Sequence, residues 1–161
     1  MREIIDTTAA PVLITGGAGY VGSHAVLALL DAGWRVIVLD DLSTGFRSLV
    51  DKRATFFEGD VGNPGLLGGI LSKYKPFAIL HFAGSIIAPE SIVDPLKYYA
   101  NNSAKTCMLL QCAINAGVRH FLFSSSAAIY GTPDEIPISE SAPSRPTNPY
   151  GTSKMMIEPM L

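Results

Sequence analysis

The stretch Val12-Leu-Ile-Thr-Gly-Gly-Ala-Gly-Tyr-Val-Gly22 decides the fold. Its first four residues are apolar or β-branched, as in a short buried strand. Glycines at 16, 19 and 22 then give the spacing G-x-x-G-x-x-G ahead of an apolar helical pattern. A strand, a phosphate-sized turn and a helix start therefore follow one another. Three physical demands favour glycine in such a turn: the tight bend has no room for a Cβ, a pyrophosphate must reach bare backbone N–H groups, and the helix must pack close to the strand. The helix N-terminus adds a partial positive charge for the anion. Three glycines in a chain with 15 of them also suit a turn that is merely tight. The strand before and the helix after are the context that a dinucleotide reading requires.

A chain of 161 residues holds one domain with a sizeable core and is too short for two large ones. With 48% hydrophobic and 16% charged residues it reads as a soluble globular protein. A net charge of −2 without a basic run gives a nucleic acid or an anionic membrane no electrostatic support. Cys107 and Cys112 stand five apart in a helical-looking segment, about 140° apart around its axis, so they cannot form a disulfide. No metal-ligand spacing occurs, and both thiols are expected to be small buried hydrophobes in a reducing compartment. The opening Met-Arg-Glu-Ile-Ile-Asp-Thr-Thr lacks an apolar core of signal-peptide length, and no run reaches the ~20 apolar residues of a membrane span. A cytoplasmic setting is expected.

Outward from the glycine turn, residues 1 to 11 read as a loose leader. Ala25, Val26, Leu29 and Leu30 recur at helical spacing until Gly33. Arg35-Val-Ile-Val-Leu39 is then a strand apolar on both faces, which belongs in a parallel sheet covered by helices. It ends at Asp40, 18 positions beyond Gly22, close to the ~20-residue offset at which a carboxylate receives adenosine ribose hydroxyls in dinucleotide folds. Asp40 also fits an ordinary solvated strand end. Coupled to the glycine turn it points to a ribose, and to NAD over NADP, because a carboxylate repels the extra phosphate.

A third strand is expected over Ala54 to Glu58, then a helix capped by Asn63, started by Pro64 and running to about Tyr74. Gly65, Gly68 and Gly69 weaken that helix by up to ~1 kcal/mol each relative to alanine. Strand four covers Phe77 to Phe82, and its His81 reads as a satisfied core histidine. The longest helical pattern runs from Asp94 to Ala116, with Pro95 near its start and Gly117 past its end. Asn101 and Asn102 are poor helix formers in its middle, so a ligand or buried partner is expected for one of them. Strand five, His120 to Phe123, delivers Ser124, Ser125 and Ser126 at its carboxyl end. Five strands alternating with helices imply an α/β fold with a doubly wound parallel sheet of Rossmann type, whose ligands sit beyond the strand carboxyl ends. From Gly131 to Pro149 the chain is rich in proline, serine and threonine and reads as a long surface loop over the site.

After that loop comes Tyr150-Gly-Thr-Ser-Lys154 at the start of a last helical pattern, which Pro159 should end or kink. A tyrosine and a lysine four apart share one helical face. A nearby ammonium favours phenolate and lowers the tyrosine pKa from ~10 toward a range useful for proton transfer. Ser126 can offer a hydroxyl to the same substrate oxygen. Taken alone, the Tyr-x-x-x-Lys spacing also fits an ordinary exposed pair; behind a dinucleotide pattern and a serine-bearing strand end it reads as catalytic.

These motifs together resemble the amino-terminal half of the extended short-chain dehydrogenase/reductases, and within them the UDP-glucose 4-epimerase family. The resemblance is carried by Thr15-Gly-Gly-Ala-Gly-Tyr-Val-Gly-Ser-His24, Leu39-Asp-Asp-Leu-Ser-Thr-Gly45, Gly59-Asp-Val61, His81-Phe-Ala-Gly84, Tyr98-Tyr-Ala-Asn-Asn102, Phe123-Ser-Ser-Ser-Ala-Ala-Ile-Tyr-Gly131 and Pro149-Tyr-Gly-Thr-Ser-Lys154. It implies bound NAD and epimerisation at C4 of a UDP-hexose through a transient 4-keto sugar. It implies that Tyr20 and Val21 line the pyrophosphate turn with Gly16, Gly19 and Gly22, and that Asp40, Asp41, Leu42, Ser43, Thr44 and Gly45 hold the adenosine ribose. Asp60 and Val61 would flank the adenine. Phe82, Ala83, Gly84, Ser85 and Ile86 would pass along the nicotinamide side, and Asn101 would contact the cofactor. Tyr150 would be the base, Ser126 would share its hydrogen bond to the substrate, and Lys154 would hold the nicotinamide ribose while depressing the tyrosine pKa. Ile86 departs from the lysine that some epimerases carry there. The nucleotide-sugar 4,6-dehydratases, which resemble Ser-Thr-Asp-Glu after strand five, are the nearest competitors; here Ser125-Ser126-Ala127-Ala128 lacks the extra acid and base. Family members run to about twice this length, so the resemblance implies an incomplete NAD-binding domain over residues 1–161 with the carboxyl-terminal substrate domain absent. An NAD-binding fragment without turnover is the alternative function, and a homodimer is the expected assembly.

Overall fold

A computed structural model of the chain describes residues 10–161, so most of the expected leader lies outside the described residues. The described residues form two compact units: those up to Ala83 together with Met108–Ser124, and Gly84–Cys107 together with Ser125–Leu161.

The first unit is built on a five-stranded parallel sheet. Its strands are β1 (Val12–Thr15), β2 (Val36–Asp40), β3 (Thr55–Glu58), β4 (Ala78–His81) and β5 (His120–Phe123), in the order β3-β2-β1-β4-β5. Register is fixed at the centre, where Val12 stands opposite both Val36 and Ala78. Alternation along the inner strands sends side chains to two separate cores. Leu13, Ile37, Leu39 and Ile79 pack with Leu67, Ile70 and Leu71 of α2 (Pro64–Tyr74) and with Leu109 and Ala113 of α5 (Lys105–Asn115). Val12, Ile14, Val36 and Val38 pack on the opposite face with Val26 of α1 (Tyr20–Asp31). Helices on both faces are what fully buried β1 and β2 require, and the doubly wound fold expected from the sequence is the one observed.

Local signals act as expected in α2, where Asn63 Oδ1 accepts Gly65 N–H and Leu66 N–H at 3.0 and 3.1 Å and Pro64 opens the helix. Strands three and four are each shorter than expected, beginning at Thr55 and spanning Ala78–His81. His81 is the satisfied core residue anticipated, with its Nδ1 2.6 Å from Thr15 Oγ1 and its ring against Phe121 and Phe123.

The second unit contains α3 (Ala88–Val93), α4 (Pro95–Tyr98), a π-helical segment over Tyr99–Ala104 that leads into α5, a short 3-10 turn at Ala127–Tyr130, and α6 (Pro149–Met155). The long helical pattern expected from Asp94 is thus an α–π–α path, and α3 was not anticipated. The last helix ends at Met155, four residues ahead of the stop expected at Pro159, which instead lies in a 3-10 turn over Glu158–Met160. Cys107 is exposed and Cys112 half-buried, both as free thiols, which corrects the expectation that both are core residues. Cys107 points away from the stripe of α5 that Leu109 and Ala113 bury.

Candidate functional site

In the first unit every predicted ligand residue lies at or just beyond the carboxyl end of a strand. Gly16 leaves β1 with φ +73°, and a Cβ there would sit 2.4 Å from the Ala83 nitrogen just after β4. A Cβ on Gly22 would lie 2.1 Å from the Gly16 carbonyl oxygen, so these two glycines serve close chain packing. Gly19 is different: its Cβ position meets only the Gly16 oxygen, at 3.4 Å, and the residue caps α1 without a side-chain hydrogen bond. The N–H groups of Tyr20, Val21 and Gly22 open the helix and by position have no intrahelical acceptor. No acidic residue occupies this first turn, and the Tyr20 and Val21 side chains are 79% and 56% exposed. The positive end of a twelve-residue helix is therefore left open to an anion.

Asp40, at the end of β2, is 8% exposed. Its Oδ2 accepts Ala18 N–H and its Oδ1 accepts Leu42 N–H, each at 2.9 Å. Phe46 N–H returns to the Ala18 carbonyl at 3.0 Å, and Gly45 lies so close over Ala18 that a Cβ would come within 2.8 Å of its carbonyl carbon. The loop after β2 is thus strapped onto the glycine turn through one alanine, and Leu42 is held at φ +57° within it. Asp41 Oδ1 accepts the Ser43 N–H and hydroxyl at 2.9 and 2.6 Å; Asp41, Ser43 and Thr44 face solvent. Gly59 N–H joins the end of β3 to the Asp40 carbonyl at 2.9 Å. Beyond it Asp60 Oδ1 accepts Gly62 N–H at 2.7 Å, while Val61 turns its side chain into the core. Phe82 N–H extends the ladder to the Thr15 carbonyl at 2.9 Å, bringing Phe82 and Ala83 beside Gly16.

The second unit holds the acid–base candidates. Tyr150 and Lys154 occupy one face of α6 one turn apart. Lys154 is 4% exposed, and burial holds its ammonium at about 8, below the ordinary 10.5. Its Nζ points at Gly84, lying 3.8 Å from where a Cβ would stand there, and Asn102 Oδ1 is 2.9 Å from the same point. Asn102, in the π segment, accepts Ser85 N–H at 2.7 Å and donates to the Ser85 carbonyl at 3.0 Å and to Ser153 Oγ at 2.9 Å. Asn101 donates to Ser85 Oγ at 2.9 Å. Buried Asn102 is therefore the asparagine with the expected partner. Ile86 is exposed.

Ser126 caps the 3-10 turn, its hydroxyl accepting Ala128 N–H at 3.2 Å. That turn reaches α6 because Gly151 has no side chain: a Cβ would stand 2.5 Å from the Ala128 carbonyl oxygen. Ser125 donates to Glu158 Oε1 at 2.6 Å. In this unit, then, Gly84, Ser85, Asn101, Asn102 and Lys154 come together, and the Ser126 turn lies against the helix that bears Tyr150. A cationic lysine one turn from a phenol on the same helix face can lower the proton affinity of that phenol, and a serine hydroxyl near it can share a substrate oxygen. Sequence reasoning missed Ser91, Tyr98, Ser153 and Glu158, all of which hold these elements; their bonds, to Tyr150, to Ile87 and Glu90, to Asn102 and to Ser125, span 8 to 59 positions and leave no local pattern.

A model described as the NAD dependent epimerase/dehydratase family matches residues 12–161. The UDP-glucose 4-epimerase of Azospirillum brasilense is 49% identical over 157 residues, covering 97% of this chain and 45% of that protein. The crystal structure of the UDP-glucose 4-epimerase from Brucella ovis in complex with NAD is similar with a TM-score of 0.92 and 42% identity, covering 95% of this chain and 47% of that one. The enzyme of the same name from Thermotoga maritima, solved with UDP-glucose, gives a TM-score of 0.90 at 34% identity over 93% of this chain and 49% of its own. The chain spans about half the length of the curated relatives it matches.

Proposed function

The chain belongs to the NAD dependent epimerase/dehydratase family, and from that premise we propose that it carries the NAD-binding and acid–base half of a UDP-hexose 4-epimerase. The observation that carries the reading is α6, where buried Lys154 stands one turn after Tyr150. Fit to NAD is supported by the open, acid-free start of α1 and by a buried carboxylate at the end of β2. The turn from Gly16 to Gly22 would receive the pyrophosphate. Asp40 with the loop through Gly45 would meet the adenosine ribose, and Asp60 and Val61 would border the adenine. Phe82 to Ile86 and Asn101 would lie along the nicotinamide side.

NAD held by these residues would supply the hydride acceptor and donor for sugar C4, the redox chemistry that epimerisation through a 4-keto sugar needs. Tyr150 as phenolate removes the proton of the 4-hydroxyl and gives it back when the hydroxyl re-forms. Ser126 donates a hydrogen bond to that oxygen, and the Lys154 ammonium favours the phenolate and holds the nicotinamide ribose. Ala127 and Ala128 stand where a dehydratase needs an acid and a base, which favours epimerisation over elimination. The exposed Ile92, Val93 and Leu96 support a homodimer, and free thiols suit the cytoplasm.

A second reading is NAD binding by these residues without turnover. The test is to mix the chain with NAD and UDP-galactose, following UDP-glucose chromatographically and bound cofactor by its fluorescence after reduction. Epimerisation abolished by Tyr150→Phe is expected. Binding alone selects the second reading, and a 4-keto-6-deoxy sugar in the mass spectrum defeats the epimerase.

A further inference from the structure

Resting on the reading of Tyr150 as the base, we propose that Ser91 and Tyr98 are positioning residues that seat Tyr150, Ser91 through its backbone and Tyr98 through its ring. The inference starts from α6 itself. Seven residues are too few for a helix to persist on its own hydrogen bonds, so the orientation of Tyr150 is set by what holds the first turn. Pro149 has no N–H. Gly151 N–H goes to Asn148 Oδ1 at 2.8 Å, and Thr152 N–H to the Asn148 carbonyl at 3.0 Å. Tyr150 N–H is the remaining first-turn donor, and Ser91 Oγ accepts it at 3.0 Å from α3.

Ser91 is fully buried, and its own proton goes to the Ala88 carbonyl at 2.6 Å. Its lone pair is thereby aimed at Tyr150, with no freedom to rotate away without losing one of its two hydrogen bonds. Tyr98, also fully buried, presents its ring edge-on to the Tyr150 ring, with centroids 6.3 Å apart and planes at 82°. Its hydroxyl is fixed in turn: it accepts Ile87 N–H at 3.1 Å and faces the Ile87 carbonyl at 2.7 Å and Glu90 Oε2 at 2.6 Å. Lys97 completes the cluster on Glu90 Oε1 at 2.5 Å. Ile87 at the start of α3 and Glu90 within it, both preceding Ser91, are thus tied to the ring that borders Tyr150, so backbone and ring of the base are located by one piece of structure. Burial and the Glu90 carboxylate push the Tyr98 hydroxyl up to about 12, so it stays neutral and keeps its bonds.

The test uses the full chain and does not depend on turnover. Ser91→Ala, Ser91→Thr and Tyr98→Phe are compared by amide hydrogen exchange and by the ring resonances of ¹³C-labelled tyrosine, with the Tyr150 resonance assigned from Tyr150→Phe. In folded Ser91→Ala the Tyr150 amide should exchange at least about fivefold faster, the scale of one lost hydrogen bond, while the Met156 amide, bonded to the Thr152 carbonyl, keeps its rate. The Tyr150 ring resonance should move, and Ser91→Thr, which keeps the hydroxyl, should restore both. Should Ser91→Ala fail to fold, Tyr98→Phe decides: faster exchange at Ile87 and a moved Tyr150 ring resonance support the proposal. Unchanged Tyr150 exchange and ring resonance in the folded variants overturn it. Where turnover is present, Ser91→Ala should lower kcat about tenfold with KM unchanged. Retained turnover in Tyr150→Phe would instead remove the base assignment and leave the seating result standing.

Discussion

Replacing Lys154 by methionine should change how stability depends on pH, in a direction fixed by burial. The side chain is 4% exposed, and its ammonium titrates at about 8 where the unfolded chain titrates at 10.5. That interval corresponds to about 3 kcal/mol. Below pH 8 both states hold the proton, and the folded state bears the whole cost of a desolvated charge. Between 8 and 10.5 the folded chain has released the proton while the unfolded chain still binds it, so stability rises with pH. Methionine keeps the length and the apolar stem of lysine and has no charge to desolvate. The stability difference, parent minus Lys154→Met, should therefore become more favourable to the parent by about 3 kcal/mol from pH 7 to pH 10.5. Urea unfolding followed by circular dichroism at half-unit pH steps measures it, and subtracting the two curves removes the groups they share. Parallel curves across that interval would refute the burial argument. At pH 7 the variant should be at least as stable as the parent while losing any activity that needs the ammonium.

Three further outcomes follow from the same geometry. Gly68 and Gly69 are exposed on α2, and a Cβ at either meets nothing within 4 Å, so Gly68→Ala and Gly69→Ala should each stabilise by about 0.5–1 kcal/mol; an unchanged urea midpoint would show the helix gains nothing from stiffening. Asp40→Ala strands the Ala18 and Leu42 amides and should cost about 1–3 kcal/mol as well as NAD affinity, read by urea unfolding and by equilibrium dialysis; full retention of both would remove Asp40 from the clasp and from the ribose. Epimerase turnover, if Lys154 acts as the cation beside Tyr150, should fall on an alkaline limb near the lysine's value of about 8, and a rate flat from pH 7 to pH 9.5 would count against that role.

What the sequence made legible was what the backbone enforces over a few neighbouring residues. The glycine spacing, the apolar run from Val36 to Leu39 and the Asn63–Pro64 start of α2 each act within one turn or strand, and each is found where expected. Asp40 was legible in position but not in full role: its spacing from Gly22 suggested a ribose, yet its two oxygens also hold the Ala18 and Leu42 amides. Illegible features depend on distant partners. Ser91 meets Tyr150 across 59 positions and Asn102 meets Ser153 across 51. Helix α3 has only six residues, too short for any periodicity to register. The π segment inserts an extra residue into a pattern that, read with an α period, predicts one unbroken helix. Exposure of Cys107 is a consequence of which stripe of α5 faces the sheet, and the composition of the helix does not dictate that stripe.

A seven-residue α6 that buries a charge is, by itself, an unfavourable element: too short to nucleate and burdened by about 3 kcal/mol at Lys154. Its persistence has to come from outside, and the contacts are correspondingly concentrated on the four residues from Tyr150 to Ser153. Ser91 takes the Tyr150 amide, Asn148 the Gly151 amide, and Gly151 lies tight against Ala128; Asn102 donates to Ser153 Oγ, and Ser103 to the Ser153 carbonyl at 3.0 Å. At about 0.5–1.5 kcal/mol per hydrogen bond, the tertiary bonds from Ser91, Asn102 and Ser103 are of the size needed to offset the buried lysine. The π segment contributes both Asn102 and Ser103 to this set. The π segment and the buried lysine therefore meet in one arrangement, in which the cost of desolvating Lys154 is offset by bonds from Asn102 and Ser103 that hold Tyr150 and Lys154 on one face of a short helix.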